Sequence, residues 1–179
     1  NILRLGQIIN DTHLAEGVII TGNQVLGATP PTDYAGIRVN GTNSIITGNY
    51  VRVLNDAGIR VHGGDGHLIA DNRIDGVDKA VSTNGIRVNS VSDVEIRDNT
   101  IQNFTDGVRF TKNGTTIVGN TIRDCTDGIE AASSSSTGHV IAGLHVSSNK
   151  LTGCTTPFNT TNQNLNDAVV HNNDGFNFS

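Results

Sequence analysis

The sequence predicts an all-β domain in which one short coil is repeated along an axis. The four residues Gly-Ile-Arg-Val occur three times, with weaker copies at Gly107 and Gly128, and the repeat glycines are 22, 27, 22 and 21 residues apart: Gly36, Gly58, Gly85, Gly107 and Gly128. An Ile-x-x-Asn motif keeps the same rhythm and ends at Asn49, Asn72, Asn99 and Asn120. Two interleaved signals with a period of this length are typical of stacked coils.

The composition agrees with strands and turns rather than helices. Among 179 residues there are 21 glycines, no Met and no Trp, and aromatic residues make up 4%. The net charge of −5 disfavours a general nucleic-acid binder. No apolar run approaches the ~20 residues that a membrane span needs. We expect one domain over residues 1–179, as a fragment or processed part of a longer chain, with no nucleic-acid or membrane partner.

Each coil is predicted to contain three short strands. The first is Ile37 to Val39 and its equivalents, the second ends at the motif Asn, and the third leads to the next repeat Gly. About seven coils can be aligned, including weak first and last copies at Arg4 and Phe158. Two insertions, Gly27–Ala35 and Asp75–Asn84, and a Ser-rich turn at Ala132–Gly138 lengthen individual coils.

These motifs together resemble the right-handed parallel β-helix proteins of the pectate-lyase-like superfamily, which includes polysaccharide lyases, epimerases and phage tailspikes. The resemblance implies a single-stranded β-helix with an Asn ladder in the turn between the second and third strands. The matching ladder positions are Asn23, Asn49, Asn72, Asn99, Asn120, Asn149 and Asn173. The resemblance also implies a cleft on the outer face of the first strands of the coils. It further implies an extracellular, secreted or virion-surface location and, if the protein is part of a tailspike, a homotrimer.

The Arg of Gly-Ile-Arg-Val is predicted to point outward, because the flanking Ile and Val point into the core. Stacked coils would then align Arg38, Arg60, Arg87 and Arg109, with Arg4 below them and Glu130 closing the row. Guanidiniums rooted ~5 Å apart repel by about 0.8 kcal/mol in water and by ~3 kcal/mol at an effective dielectric of 20. Either nearby acids (Asp56, Asp106, Asp127) neutralise the row, or it binds a polyanion such as an acidic polysaccharide.

A second outward column is predicted two residues further on, at Asn40, His62, Asn89, Thr111 and Ala132. Asn40 and Asn89 are candidate substrate-binding residues beside the arginines. Cationic neighbours should lower the pKa of His62 and suit it to act as a general base. The alternative is a surface histidine next to the Gly63–Gly66 turn.

The insertions supply further catalytic candidates. Tyr34 and Lys79, with Asp33 and Asp78, could wall a cleft, and Tyr and Lys can serve as acid and base in a β-elimination with Arg60, Arg87 and His62. Alternatively, these loops only cover strand ends. No cofactor is predicted; a Ca²⁺ between Asp106 and Asp127 would have too few ligands for a firm expectation.

Cys125 and Cys154 each follow a ladder Asn by five residues, where other coils carry apolar side chains. They should stack in adjacent coils, either as a disulfide or as a reduced pair.

For function, three hypotheses stay open: binding of an acidic polysaccharide with or without lyase-type cleavage, a glycan-adhesion or shaft module without chemistry, and a purely structural repeat domain. The motifs of polygalacturonases and of many alginate epimerases are missing.

Overall fold

The computed structural model describes residues 2–4, 8–10, 16–28, 35–132, 139–160 and 163–175. In chain order the strands are β1 (Ile2–Arg4), β2 (Ile8–Asn10), β3 (Ile19–Thr21), β4 (Gln24–Ala28), β5 (Ala35–Val39), β6 (Ile45–Thr47), β7 (Tyr50–Val53), β8 (Ala57–His62), β9 (Leu68–Ala70), β10 (Arg73–Gly76), β11 (Asn84–Asn89), β12 (Glu95–Arg97), β13 (Thr100–Gln102), β14 (Asp106–Phe110), β15 (Thr116–Val118), β16 (Thr121–Arg123), β17 (Asp127–Ala131), β18 (His139–Ala142), β19 (His145–Ser147), β20 (Lys150–Thr152), β21 (Thr156–Asn159), β22 (Gln163–Asn166) and β23 (Val169–His171). No helix occurs in these ranges, and so none that could span a membrane.

The strands form three parallel sheets that run the length of the solenoid. Sheet I contains β2, β5, β8, β11, β14, β17 and β21; sheet II contains β3, β6, β9, β12, β15, β19 and β23; sheet III contains β1, β4, β7, β10, β13, β16 and β20. Seven passages through each sheet correspond to about six full turns with incomplete coils at the ends. The last two coils add a fourth strand, because β18 pairs with β22.

Aliphatic side chains from all three sheets fill the interior. Ile59, Ile69 and Ile74, one from each sheet of a single coil, are fully buried, and the same slots repeat in neighbouring coils. The repeat glycine lies where sheet III meets sheet I. At Gly85 a Cβ atom would collide with the Ile101 side chain and the Gly107 carbonyl, so this slot excludes any larger residue.

The predicted Asn ladder is present as a continuous hydrogen-bonded column between sheets II and III. Asn72 donates from both its backbone N–H and its Nδ2 to Asn99 Oδ1, each at 3.0 Å, and Asn99 repeats this towards Asn120. The residue before every ladder Asn has a positive φ: Gly22, Gly48, Asp71, Asp98, Gly119, Ser148 and Asn172. Gly, Asp and Asn tolerate that conformation best, which explains most choices at this slot.

The predicted insertions are shorter than the sequence indicated. Sheet strands extend into the second one at both ends, so that the connecting turn is residues 77–83. Of the first insertion, residues 29–34 lie outside the described residues, as do residues 133–138 of the Ser-rich turn.

Candidate functional site

Sheet I brings the predicted arginine row together. Arg38, Arg60, Arg87 and Arg109 are successive register partners, and Glu130 and Asn159 continue the same row. We call the outward side of these six positions the arginine face. The flanking Ile and Val side chains are fully buried, as the alternation predicted. Arg38, Arg87 and Arg109 are partly exposed, whereas Arg60 retains only 7% of its accessible surface.

The prediction that Arg4 extends this row is wrong. Arg4 belongs to sheet III, where β1 pairs with β4 and Arg4 is the register partner of Leu26. The row continues instead to Ile9 of β2, which pairs with Arg38. Ile2-Leu3-Arg4 has the apolar–Arg pattern but no preceding glycine, and only the glycine distinguishes the sheet I strand from the other two.

The second predicted column is only partly open to solvent. His62 and Asn89 are register partners on neighbouring strands, and both are partly exposed. Asn40, Thr111 and Ala132 are 2%, 5% and 5% exposed, so the expectation of a fully outward column is wrong at these positions. The next coil's turn covers Asn40: a Cβ atom on Gly63 would lie 2.7 Å from Asn40 Oδ1.

The turn that carries Lys79 forms one hydrogen bond within itself and another to the next coil. Asp78 Oδ1 accepts from the Ala80 N–H at 2.9 Å, and the Lys79 carbonyl accepts from Thr105 Oγ1 at 2.9 Å. The Asp78 and Lys79 side chains are exposed. Asp33 and Tyr34, the other proposed wall residues, lie outside the described residues. The acid and base roles of Tyr34 and Lys79 therefore stay predictions.

His67, near His62 in sequence, has a structural role. Its ring is almost fully buried, Nδ1 accepts from the Ser44 N–H at 3.3 Å, and Nε2 lies 3.3 Å from the Gly63 carbonyl. These contacts fit the neutral tautomer with the proton on Nε2. Burial lowers the pKa of His67 and supports that neutral form.

Acidic side chains gather at one end of the arginine face. Asp106 and Asp127 are register partners on β14 and β17, and Arg109 Nε forms a 2.9 Å ion pair with Glu130 Oε2. Asn84 Nδ2 donates to Asp106 Oδ2 at 2.6 Å, and Asn159 Nδ2 donates to Asp127 Oδ2 at 2.7 Å. We call the set Asp106, Arg109, Asp127 and Glu130 the acidic end.

The pKa of Asp106 lies close to neutral pH. It is only 7% exposed, and burial, the charge of Glu130 and a hydrogen bond with Glu130 raise its pKa to about 7, against the opposing charge of Arg109. The Asp106 carboxyl thus lies beside the Glu130 carboxyl and the Arg109 guanidinium. A carboxyl group with this pKa can give or take a proton close to physiological pH.

The described part of the chain contains no group of three or more His, Cys, Asp or Glu side chains that could hold a metal ion. Around the Asp106–Asp127 pair, two amide groups donate hydrogen bonds and Arg109 supplies a positive charge. These neighbours compete with a cation for the carboxylate oxygens. The Ca²⁺ considered from the sequence stays a weak prediction.

Sequence reasoning anticipated the stacking of Asp106 on Asp127 but missed the raised pKa of Asp106 and the contribution of Glu130 to it. The signal was present: Asp106 and Arg109, like Asp127 and Glu130, are three residues apart in consecutive coils. Register then places Glu130 beside Arg109 and within reach of Asp106. The raised pKa required knowledge of the burial, which the sequence alone did not supply.

The molecule is thus a parallel β-solenoid whose first sheet presents a row of arginines that ends beside the carboxyl groups of Asp106, Asp127 and Glu130. Residues 8–151 match the family model for the right handed beta helix region, and the chain belongs to this family. It is similar in structure to the periplasmic alginate epimerase AlgG, with 15% identity over 86% of this chain and a TM-score of 0.50. A T-to-N point mutant of AlgG gives 15% identity over 88% and a TM-score of 0.54. Each match covers 39% of the AlgG chain. No curated protein sequence matches.

Proposed function

We propose that the protein binds an acidic polysaccharide along the arginine face. The observation that carries this proposal is the in-register row of Arg38, Arg60, Arg87 and Arg109, one per coil on a single sheet. Neighbouring strands lie ~4.8 Å apart, so a polyanion running along the solenoid meets the partly exposed Arg38 and Arg87 two coils apart, with the charge of the buried Arg60 between them. The planar fork of Arg suits carboxylate and sulfate groups.

The acidic end makes the charge of the arginine face differ between its two ends. Three arginines precede it, and the fourth is held by Glu130 at 2.9 Å. A polyanion is therefore attracted over the coils of Arg38, Arg60 and Arg87, and it is repelled by Asp127 and Glu130. His62 and Asn89 lie two residues beyond Arg60 and Arg87 on the same strands and supply polar contacts beside the bound chain.

Lyase-type cleavage is the catalytic form of this proposal. A β-elimination needs a base that removes the proton next to the uronate carboxylate and an acid that protonates the leaving oxygen. His62 is the candidate base, and Arg60 and Arg87 would neutralise the substrate carboxylate. Tyr34 or Lys79 would provide the acid.

The structural relatives support the substrate class without determining it. AlgG is an alginate epimerase, and alginate is a polyuronate, the kind of polymer that an arginine row can bind. AlgG is periplasmic, and we propose a location outside the cytoplasm for this protein too, secreted or on a virion surface. The partner is the acidic polysaccharide itself.

A second candidate is a shaft or glycan-adhesion module without chemistry, as in a tailspike trimer. The observation that favours it is the low exposure of Arg60, at 7%, together with the pairing of Arg109 with Glu130. Both indicate that the protein itself buries or neutralises part of the arginine row, without a bound polyanion. A stable trimer in sedimentation experiments would support this candidate.

Retention on immobilised alginate and pectate, at low and high salt, tests the binding proposal. The double variant Arg38→Gln/Arg87→Gln should weaken retention at least about tenfold at low salt, because two charge-assisted contacts are lost. Arg52→Gln on the exposed side of sheet III removes the same charge from another face and should have little effect. Equal retention of all three proteins would remove the arginine face as the binding surface.

Cleavage is tested separately by the ultraviolet absorbance of unsaturated uronate ends. Lyase action on pectate, alginate or a glycosaminoglycan should produce this signal, and His62→Ala should abolish it. Salt-sensitive retention without new absorbance would leave a binding protein and exclude the lyase form for these polymers.

A further inference from the structure

The two cysteines occupy the same position in consecutive coils. Cys125 follows β16, and Cys154 follows β20. Two residues before the cysteines, Arg123 is the register partner of Thr152. Two residues after them, Asp127 is the register partner of Thr156. The Thr155 N–H also donates to the Cys125 carbonyl at 3.3 Å. The two cysteines are therefore direct neighbours along the solenoid, 29 residues apart in sequence.

Their side chains are oriented alike. Each thiol lies against the carbonyl two residues before it, Cys125 Sγ at 3.4 Å from Arg123 O and Cys154 Sγ at 3.8 Å from Thr152 O. Both cysteines are free thiols. The ~4.8 Å spacing between adjacent strands lies within the Cα separation of about 4.4–6.8 Å found in disulfides. The backbone does not have to move far for the two sulfur atoms to bond.

We propose that Cys125 and Cys154 form an oxidisable dithiol that closes into a disulfide between adjacent coils on reaction with a small disulfide such as oxidised glutathione. This modification site is independent of the polysaccharide proposal, since it uses none of the residues of the arginine face. Two consecutive coils carry a cysteine at this position, whereas the three coils before them carry Leu54, Val77 and Phe104.

The two thiols have different roles in the reaction. Cys154 is half-buried, with exposed neighbours Gly153 and Thr155, whereas Cys125 is fully buried. The hydrogen bond with Cys125 lowers the pKa of Cys154 to about 7, while that contact and burial raise the pKa of Cys125. Cys154 is thus the accessible thiolate, and Cys125 is the resolving thiol.

The reaction proceeds in two exchanges. The Cys154 thiolate attacks one sulfur of oxidised glutathione, forms a mixed disulfide and releases a glutathione thiolate, which takes up the Cys125 proton. The Cys125 thiolate then attacks Cys154 Sγ, forms the Cys125–Cys154 bond and expels the second glutathione. Two protein thiols are oxidised, and one glutathione disulfide is reduced to two glutathione molecules.

The bond would fasten the turn that leads into β21. The four residues of β21 are all partly exposed, whereas the preceding strand of sheet I, β17, retains three buried ones. A disulfide limits the separation of these coils in the unfolded chain and so favours the folded state. We expect the midpoint of thermal unfolding to rise by about 5–10 °C on oxidation.

The experiment treats the full chain with oxidised glutathione and counts thiols under denaturing conditions. We expect both thiols to be lost, the intact mass to fall by two hydrogens with no glutathione attached, and dithiothreitol to reverse the mass and the melting change. Cys154→Ser leaves the buried thiol in place and should show no oxidation-dependent rise in melting temperature. Cys125→Ala should stop at the mixed disulfide on Cys154.

Two outcomes would overturn the proposal. One is a wild-type protein that keeps both thiols, or that carries glutathione on Cys154 without closing the bond. The other is a disulfide that forms only between molecules, seen as a dimer on a non-reducing gel. If either variant is unfolded, the thiol count, peptide map and reversibility of the wild-type protein still decide between closure and its absence.

Discussion

The Asn ladder and the arginine face are both polar columns that repeat once per coil, but only the ladder satisfies itself. An Asn side chain carries a donor and an acceptor, so each ladder member donates to the next and accepts from the previous one. A guanidinium carries only donors, and a row of guanidiniums cannot pair with itself. A column that completes its own hydrogen bonds is explained by folding, whereas a column that cannot do so requires partners of opposite charge.

The ladder should therefore be the more costly of the two columns to interrupt. Asn99→Ala removes the acceptor for the Asn72 N–H and Nδ2 and the donor to the Ile69 carbonyl, all of them buried. Unsatisfied groups of this kind cost ~1–3 kcal/mol each, and we expect a loss of about 4 kcal/mol in the free energy of unfolding. Urea denaturation of the wild-type protein and the variant measures this difference in the free energy of unfolding.

The matched control is Asn166→Ala on β22, where the side chain is exposed, and its effect should stay within about 0.5 kcal/mol. If Asn99→Ala costs less than about 1 kcal/mol, water or a rearranged turn replaces the ladder bonds, and the distinction between the two columns fails.

The acidic end, where the arginine row meets carboxyls, should make stability depend on pH. Folding raises the pKa of Asp106 from 3.8 to about 7, so the native state binds this proton more tightly than the unfolded chain. The stabilisation is complete below about pH 4 and is lost as the pH rises through 7. Asp106→Asn removes the buried charge and should stabilise the protein by about 2 kcal/mol at pH 8; the gain is smaller than the full pKa shift implies, because the charge-assisted hydrogen bond from Asn84 is also lost.

The same substitution should bring little gain at pH 4, where wild-type Asp106 is already protonated. Asp124→Asn serves as the control, because Asp124 is exposed and lies on a neighbouring turn. Equal stabilisation by Asp106→Asn at pH 4 and pH 8 would show that packing, rather than the buried charge, is responsible.

The contrast between the columns also explains how far the sequence could be interpreted. The ladder and the row of arginines follow from spacing, because a fixed period brings equivalent residues into register. Arg4 was misplaced because a three-residue strand without its glycine fits any of the three sheets. The buried state of Asn40 and the raised pKa of Asp106 could not be predicted, because both depend on how neighbouring coils cover a side chain.

Within the arginine row, folding should tolerate the loss of one charge. Arg87 is partly exposed between two like charges, so Arg87→Gln should change the free energy of unfolding by no more than about 1 kcal/mol while it weakens retention on polyuronates. Arg52→Gln on sheet III provides the comparison. A loss above about 2 kcal/mol would assign Arg87 a structural role and favour the shaft function.

Glu130→Gln should have the smallest effect on stability and the most specific effect on titration. The ion pair with Arg109 has side chains that are 33% and 22% exposed, so its loss should cost only about 0.5 kcal/mol. The pKa of Asp106 is raised by burial first and by Glu130 second, and removal of the Glu130 charge should lower it below its wild-type value of about 7. Carboxyl carbon chemical shifts in an NMR titration measure this change. An unchanged pKa would mean that burial alone holds the proton on Asp106, and that Asp106 and Glu130 do not act as a pair.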